Sequence, residues 1–192
     1  MKWLDNKTIL LERELSDLDK LVLKFSSILE KHTSYIIISG YAAILFGRTR
    51  TTEDVDIFIP KITKEQFSSL YEELREQGFW AINGDTVETL FSLLSQERTA
   101  VRFAEKGKVF PNFEVKFVKD ALDEFALREK IKVITNGGNL FTSLIDLQIA
   151  YKKFVLKSQK DLEDARHLQN WFSISDENIN KYKHLLKQYG RL

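Results

Sequence analysis

Apolar and polar positions alternate along the chain with two periods, which predict a mixture of helices and strands. Over residues 8–31, apolar side chains recur at alternating steps of four and three, so they share one face of a helix. Short apolar runs bounded by turn residues predict strands over residues 35–38, 54–59, 79–82, 99–105, 112–118 and 131–135. The segment Lys106-Gly107-Lys108 separates two of these runs and indicates a hairpin.

Capping signals place the helices that follow the first strands. A short apolar segment, residues 41–46, predicts a helix that ends at Gly47. Thr63 and Gln66 have the spacing of a capping box, and they predict a helix from about residue 64 to residue 77.

Two further capping signals lie later in the chain. Asp85 and Glu88 repeat the capping-box spacing before a helix that ends near residue 95. From residue 141 the pattern is helical to the end, with Thr142 or Ser143 as the first cap and Ser175 as a later one.

This order of elements predicts an α+β fold, a mixed sheet flanked by helices, with a C-terminal helical bundle. We divide the chain into an α/β core with an N-terminal helix, residues 1–140, and a helical region packed on it, residues 141–192.

Composition excludes several classes of protein. With 43% hydrophobic and 30% charged residues, the chain is too apolar for intrinsic disorder, and no apolar run approaches the ~20 residues of a membrane span. Charges scattered through the first residues are unlike a secretory signal, so we expect a cytoplasmic protein without a membrane partner. The absence of cysteine excludes a disulfide scaffold, a thiolate nucleophile and a cysteine-ligated zinc site. A net charge of +1 provides no global basic field for nucleic acid.

Two carboxylates on one predicted strand are the most informative chemical feature. Asp54 and Asp56 are two residues apart, so they share one face of the strand, while Val55, Ile57 and Ile59 face the core. Neighbouring carboxylates repel each other unless a cation lies between them. Their hard oxygen atoms suit Mg²⁺ or Mn²⁺.

Upstream of this pair, Ser39 and Gly40 lie where a strand turns into a helix. Free backbone N–H groups at a helix N-terminus, beside a glycine that permits close approach, favour an anion such as phosphate. A phosphate site followed by a paired-carboxylate metal site is what metal-assisted phosphoryl or nucleotidyl transfer requires.

The segment from Ser39-Gly40 to Asp54-Val55-Asp56 resembles the signature of nucleotidyltransferases of the DNA polymerase β superfamily. It looks most like the small stand-alone members, including toxins of toxin–antitoxin pairs, in which an Arg-x-Thr similar to Arg50-Thr51-Thr52 precedes the carboxylates. The pair here is Ser-Gly, where the family has Gly-Gly or Gly-Ser.

The resemblance implies that this chain binds an NTP such as ATP with Mg²⁺ or Mn²⁺. It implies transfer of a nucleoside monophosphate to a hydroxyl of RNA, protein or a small molecule, with release of pyrophosphate. It also implies a cognate antitoxin as a partner. Ser39, Gly40, Arg50 and Thr52 would then contact the nucleotide.

The same resemblance implies a third catalytic carboxylate on a neighbouring strand, which would share a second metal ion with Asp54 and Asp56. Glu114 is the candidate; the alternative is an ordinary strand residue paired with Lys116. Lys152 and Lys153 begin a stretch that is similar to the helical tail of the toxin-type members. We expect Lys153, Lys157 and Lys160 to share one helical face toward triphosphate or RNA. The alternative is a solvated helix face.

Several interpretations stay open at the level of sequence. Arg50 either contacts phosphate or forms a salt bridge with Glu53, which points to the opposite side. Asp161 and Asp164 fit structural roles, Asp161 in the first turn of a helix and Asp164 as a clamp on a neighbouring element. A catalytically inactive binding module and a nucleic-acid-binding protein are the competing functions.

Overall fold

The computed structural model describes residues 1–192 as a nine-stranded sheet with eight α-helices and one π-helical turn. The strands are β1 (Lys2–Asp5), β2 (Thr8–Leu10), β3 (Ile36–Ile38), β4 (Asp54–Ile59), β5 (Phe79–Ala81), β6 (Val101–Glu105), β7 (Asn112–Phe117), β8 (Ile131–Thr135) and β9 (Gly138–Thr142). The helices are α1 (Asp17–His32), α2 (Ser39–Leu45), α3 (Lys64–Glu76), α4 (Val87–Ser95), α5 (Ala121–Arg128), α6 (Ile145–Tyr151), α7 (Gln159–Trp171) and α8 (Asp176–Gln188), and the π-helical turn is Lys152–Leu156. The predicted α+β class is confirmed.

The sheet is mixed, with the strand order β1-β2-β8-β9-β3-β4-β7-β6-β5. β4 lies between β3, to which it is antiparallel, and β7, to which it is parallel. Strands β2 and β8, and β3 and β9, are also parallel, whereas the remaining pairs are antiparallel. Strand β4, which carries the two aspartates, therefore has a neighbour on each side.

One face of β4 belongs to the hydrophobic core and the other carries its polar side chains. Val55, Ile57 and Ile59 are fully buried, as predicted, whereas the alternating positions are half-buried. The core continues into α1, where the ring of Phe25 stacks on Phe113 of β7 with a centroid distance of 3.9 Å. This packing fixes which face of β4 is left for chemistry.

The helix predicted over residues 8–31 is wrong in its first half, because β1 and β2 form a hairpin before helix α1 begins. Helix α1 begins at Asp17, where Ser16 and Asp19 form a capping box, and Asp19 also binds Arg13. Leu11 continues the strand, since its N–H donates to the carbonyl of Ile134 in β8 at 2.9 Å. Leu11 and Leu15 therefore fit the helical spacing of the sequence but lie outside the helix.

The predicted start of the C-terminal helical region is also wrong. Residues 138–142 form β9, so Thr142 and Ser143 are not helix caps, and α6 begins at Ile145. The hydroxyl of Thr142 donates to the carbonyl of Ile37 in β3 at 3.0 Å, which ties this segment to the sheet. The division of the chain into a core and a helical region stays a prediction. Strand β9 ends at Thr142, just after the predicted boundary at residue 140.

Other local predictions hold. Strands β4 and β8 have the predicted bounds, both halves of the Thr63–Gln66 capping box form, and Ser175 caps α8. Helix α4 is capped by Thr86, one residue after the predicted Asp85, and α5 has no predicted counterpart. None of the helices combines the length and apolar character that crossing a membrane requires.

Candidate active site

The turn from β3 into α2 carries the Ser39-Gly40 pair. Ser39 has a φ of 64°, in the left-handed region that favours glycine, so it adopts the conformation that a leading glycine tolerates best. A Cβ atom on Gly40 would lie 3.1 Å from Nη2 of Arg50, which is closer than ordinary van der Waals contact. The pair thus combines a strained turn with a close approach of the backbone to a guanidinium group.

Asp54 and Asp56 lie on one face of β4, both half-buried. The hydroxyl of Thr52 donates to Asp54, with Oγ1 2.9 Å from the backbone oxygen and 3.3 Å from Oδ1. Asp54 forms no ion pair, whereas Oδ1 of Asp56 accepts a hydrogen bond from Nζ of Lys116 at 2.8 Å. One of the two carboxylates is therefore free to bind a cation.

Glu114 lies on the strand next to the aspartate pair, and it is the direct partner of Asp56 in the parallel pairing of β4 with β7. On its other side, the antiparallel pairing with β6 places Arg102 opposite Glu114. Oε1 of Glu114 lies 2.9 Å from Nε and 2.8 Å from Nη2 of Arg102. The alternative pairing with Lys116 is present as well, since Oε2 lies 2.7 Å from its Nζ.

The contacts between Glu114 and Lys116 shift the pKa values of both side chains. Burial opposes ionisation of Glu114, but Lys116 and then Arg102 outweigh it, so the pKa of this carboxyl lies below its usual value. Burial likewise opposes the charged form of Lys116, but Asp56 and Glu114 outweigh it and raise the pKa of the ammonium group. Both groups are therefore charged at neutral pH.

The donor set fits a divalent cation at Asp54 and Asp56 but does not extend to Glu114. Two carboxylates on one strand face provide hard oxygen ligands, and Asp54 has no competing cation. Both oxygens of Glu114 bind cationic side chains, and no group of three His, Cys, Asp or Glu residues is arranged to hold a metal ion. Ligation of an ion by Glu114 stays a prediction that these contacts do not favour.

Arg50 binds Asp164 and not Glu53, the salt-bridge partner considered from the sequence. Nη1 of Arg50 lies 2.5 Å from Oδ2 of the fully buried Asp164, and Nε of Arg48 lies 3.3 Å from its other oxygen. Asp164 therefore clamps α7 to the segment between α2 and β4, as predicted. The guanidinium group of Arg50 lies next to the space that a Cβ atom on Gly40 would occupy.

The two lysines of the tail have different surroundings. Lys152 is buried, and its Nζ lies 3.0 Å from Oδ2 of Asp164 and 3.2 Å from Oδ1 of Asp161. The more exposed Lys153 pairs weakly with Asp176, at 3.4 Å. Lys152 is thus held in an ion-pair network and Lys153 lies outside it.

The expected continuous lysine face is not present. Helix α6 gives way to the π-helical turn, and Lys157 then takes a left-handed conformation with a φ of 58°. Ser158 caps a new helix, α7, whose first turn contains Asp161, as predicted. Lys153, Lys157 and Lys160 therefore belong to three different segments.

A cavity of about 220 Å³ joins several of these residues. Ser39, Asp56 and Lys152 contribute polar groups to its wall, and Phe58 and Leu122 are among its apolar lining. Sequence reasoning placed the three polar residues in the site, and the structure brings them to one cavity.

Two further cavity residues were missed from the sequence. Gln148 is buried, and its Nε2 donates to Oγ1 of Thr142 at 2.8 Å, while its Oε1 has no hydrogen-bond partner. Burial raises the pKa of Asp123, whose carboxylate accepts the N–H of Lys119 at 3.0 Å. No motif in the sequence marks either residue.

Lys116 and Arg102 were also not assigned to the site. The position of Lys116 two residues after Glu114 puts both on one face of β7, which is a signal that the sequence contains. Arg102 has no such signal, because only the register of β6 against β7 places it opposite Glu114.

The sequence resemblance predicts a nucleotidyltransferase fold, and the structure places Asp54 and Asp56 on β4, beside the strand β3 that leads into Ser39. Solved structures confirm this fold. ANT(2″)-Ia in complex with adenylyl-2″-tobramycin has a TM-score of 0.56 and 14% identity, over 90% of this chain and 98% of that one. The lincosamide antibiotic adenylyltransferase LnuA with bound lincomycin has a TM-score of 0.54 and 10% identity, over 83% and 99% of the two chains.

An antigenic nucleotidyltransferase-like protein from Paracoccidioides brasiliensis is similar to a lesser degree. Its TM-score is 0.50 with 14% identity, over 88% of this chain and 87% of that one. The sequence matches no protein-family model and no curated protein. The chain therefore has a minimal nucleotidyltransferase fold. At sequence identities of 10% and 14%, the similarity to these solved structures establishes the fold alone.

Proposed function

We propose that the protein transfers a nucleoside monophosphate from an NTP to an acceptor hydroxyl and releases pyrophosphate. One observation supports this proposal most directly: Ser39 and Asp56 line a single cavity, and Asp54 shares the strand face of Asp56. The cavity is smaller than the ~300–1,000 Å³ of typical small-molecule sites, so it takes only part of a nucleotide.

In this proposal Asp54 and Asp56 hold Mg²⁺ or Mn²⁺. When bound, such an ion supplies the positive charge that polarises phosphate oxygens. Thr52 orients Asp54 through its hydroxyl. Ser39 and Gly40 present the free backbone N–H groups of the first turn of α2 to the triphosphate.

Arg50 and Lys152 act behind these residues. Arg50 lies against Gly40 and is held by Asp164, so it fixes the wall of the phosphate site. Lys152 lines the cavity, and Asp161 and Asp164 hold its ammonium group in place there. Lys153 pairs with Asp176 and has no assigned contact with the nucleotide.

The acceptor is an RNA, protein or small-molecule hydroxyl. The similar structures hold adenylyl-2″-tobramycin or lincomycin, which makes hydroxylated small molecules a class to test alongside RNA and protein. A cognate antitoxin and a cytoplasmic location stay predictions from the sequence.

The test is transfer of label from each α-³²P-labelled NTP to total RNA, protein or hydroxylated small molecules, with Mg²⁺ or Mn²⁺. We expect label in one acceptor class and release of pyrophosphate. Asp54→Asn and Asp56→Asn should abolish both, whereas Asp85→Asn, a change at an exposed carboxylate without an ion pair, should retain them. Calorimetric titration should show NTP affinity that depends on the metal in the wild type.

Two results would contradict the proposal. Full transfer by Asp54→Asn would remove the aspartate pair from the chemistry. NTP binding without transfer to any acceptor would support the inactive binding module. The nucleic-acid-binding alternative is weakened already, because its lysine face is broken and Lys152 is buried.

A further inference from the structure

The ammonium group of Lys116 lies between two carboxylates of the candidate site. Its Nζ is 2.8 Å from Oδ1 of Asp56 and 2.7 Å from Oε2 of Glu114. These are the two side chains that a second metal ion, shared with the aspartate pair, would need as ligands. The position between them is therefore taken by a cation that belongs to the chain.

Strand pairing places Lys116 there. Asp56 and Glu114 are direct partners across β4 and β7, and Lys116 follows Glu114 by two residues on the same face of β7. Arg102 binds the other oxygen of Glu114, so that carboxylate is fixed from its far side. With only 24% of its side chain exposed, Lys116 is held by two ion pairs and by its neighbours.

We infer that Lys116 is a tethered cation that takes the place of a second divalent ion between Asp56 and Glu114. The site then binds one divalent ion, at Asp54 and Asp56. This inference rests on the proposed function and deepens it, since it specifies how many ions the reaction uses. Glu114 becomes a positioning residue that holds Lys116 beside Asp56.

The local charges favour this arrangement. Three carboxylates, Asp54, Asp56 and Glu114, face two cationic side chains, Lys116 and Arg102. These five groups carry a net charge of −1, which one divalent ion already more than compensates. A second divalent ion at Asp56 and Glu114 would have to displace the ammonium or lie beside it, where like charges repel.

The experiment counts Mn²⁺ ions bound to the full chain in a one-to-one complex with α,β-methylene-ATP, by electron paramagnetic resonance of the free ion. We expect one Mn²⁺ per complex for the wild type and two for Lys116→Met. Lys116→Arg keeps the charge and should bind one. Lys119→Met, at an exposed lysine three residues further on that forms no ion pair, is the matched control and should also bind one.

Glu114→Gln separates the two interpretations of this carboxylate. If Glu114 only positions Lys116, the wild type and Glu114→Gln bind one ion each, and Lys116→Met/Glu114→Gln returns from two ions to one. If Glu114 is a metal ligand in the wild type, the count falls from two to one in Glu114→Gln. That comparison decides the question even where Lys116→Met does not fold.

Each outcome bears on the inference and on the proposed function in a distinguishable way. Two ions in the wild type, or one in folded Lys116→Met, would overturn the tethered cation and leave nucleotidyl transfer intact. Absence of bound Mn²⁺ in every variant, together with absence of label transfer, would overturn both.

Discussion

Substitution of Asp164 by asparagine tests whether the ion-pair network behind the site is a structural clamp. The side chain is fully buried and its two oxygens bind Arg48, Arg50 and Lys152. Asparagine has almost the same shape but no charge, so the change leaves these cations with one partner fewer. Lys152 keeps Asp161 at 3.2 Å, and Arg50 loses its only carboxylate.

The size of the effect follows from burial. Removing one partner of a buried ion pair costs about 3–5 kcal/mol, because a charge stays behind without compensation. For a chain of this length each kcal/mol lowers the melting temperature by roughly 2–4 °C, so we expect a decrease of about 6–20 °C. Arg50 also leaves its position against Gly40, which should weaken NTP binding.

The measurement is urea and thermal unfolding followed by circular dichroism, with NTP affinity measured by calorimetry below the melting temperature. Glu163→Gln is the matched control, since Glu163 is the preceding residue in the sequence and also binds Arg48, at 2.6 Å, but has 44% of its side chain exposed. An exposed ion pair contributes about 0–1 kcal/mol. Equal losses of stability in Asp164→Asn and Glu163→Gln would refute the clamp.

Three further substitutions probe the turn and the first helix. Gly40→Ala should destabilise the protein by about 1–3 kcal/mol, because the added Cβ would lie 3.1 Å from Arg50; in an Arg50→Ala background this cost, measured by urea unfolding, should disappear, and an unchanged cost would show that Arg50 is not its source. Ser39→Gly should raise the free energy of unfolding by up to about 1 kcal/mol by relieving the left-handed conformation, whereas Ser39→Ala, which keeps the strain, should show no gain. Asp19→Asn should cost about 1.5–3 kcal/mol near neutral pH. Burial raises the pKa of Asp19, but Arg13, Ser16 and Tyr41 outweigh it and hold the folded-state pKa below the ordinary 3.8, so the stability that Asp19 contributes is present above that value and is lost as the pH falls through the folded pKa. Unfolding curves of wild type and Asp19→Asn between pH 7 and pH 2 should converge at the acid end, and a constant difference would contradict this account.

Local spacing predicted the centre of the site well. Strand β4 has the bounds expected from its apolar alternation, and its period of two residues places Asp54 and Asp56 on the face opposite the core. The turn at Ser39-Gly40 follows a β-branched run, which indicates where the strand ends. These features depend on neighbours within a few residues, so the sequence contains them directly.

Local spacing failed where a neighbouring segment decided the outcome. The leucine stripe over residues 8–31 has a helical period, yet its first residues form β2, because β8 on one side and β1 on the other offer strand edges that satisfy their backbone groups. Residues 138–142 form a strand for the same reason, since pairing with β8 satisfies their backbone groups. The helical spacing of residues 8–16 and the helical pattern predicted from residue 141 were therefore both overridden by strand pairing.

The sequence by itself determined that two carboxylates share one strand face near a strand-to-helix turn, because these relations follow from backbone geometry over a few residues. Only the tertiary structure decided the partners of those groups. Lys116 reaches Asp56 and Arg102 reaches Glu114 through the registers of β4, β6 and β7, and a shift of one residue would turn every side chain to the other face. Asp164 meets Arg50 across 114 residues of chain. Such contacts depend on how the whole chain buries its apolar surface, and the spacing of residues within one segment does not determine which distant segments meet.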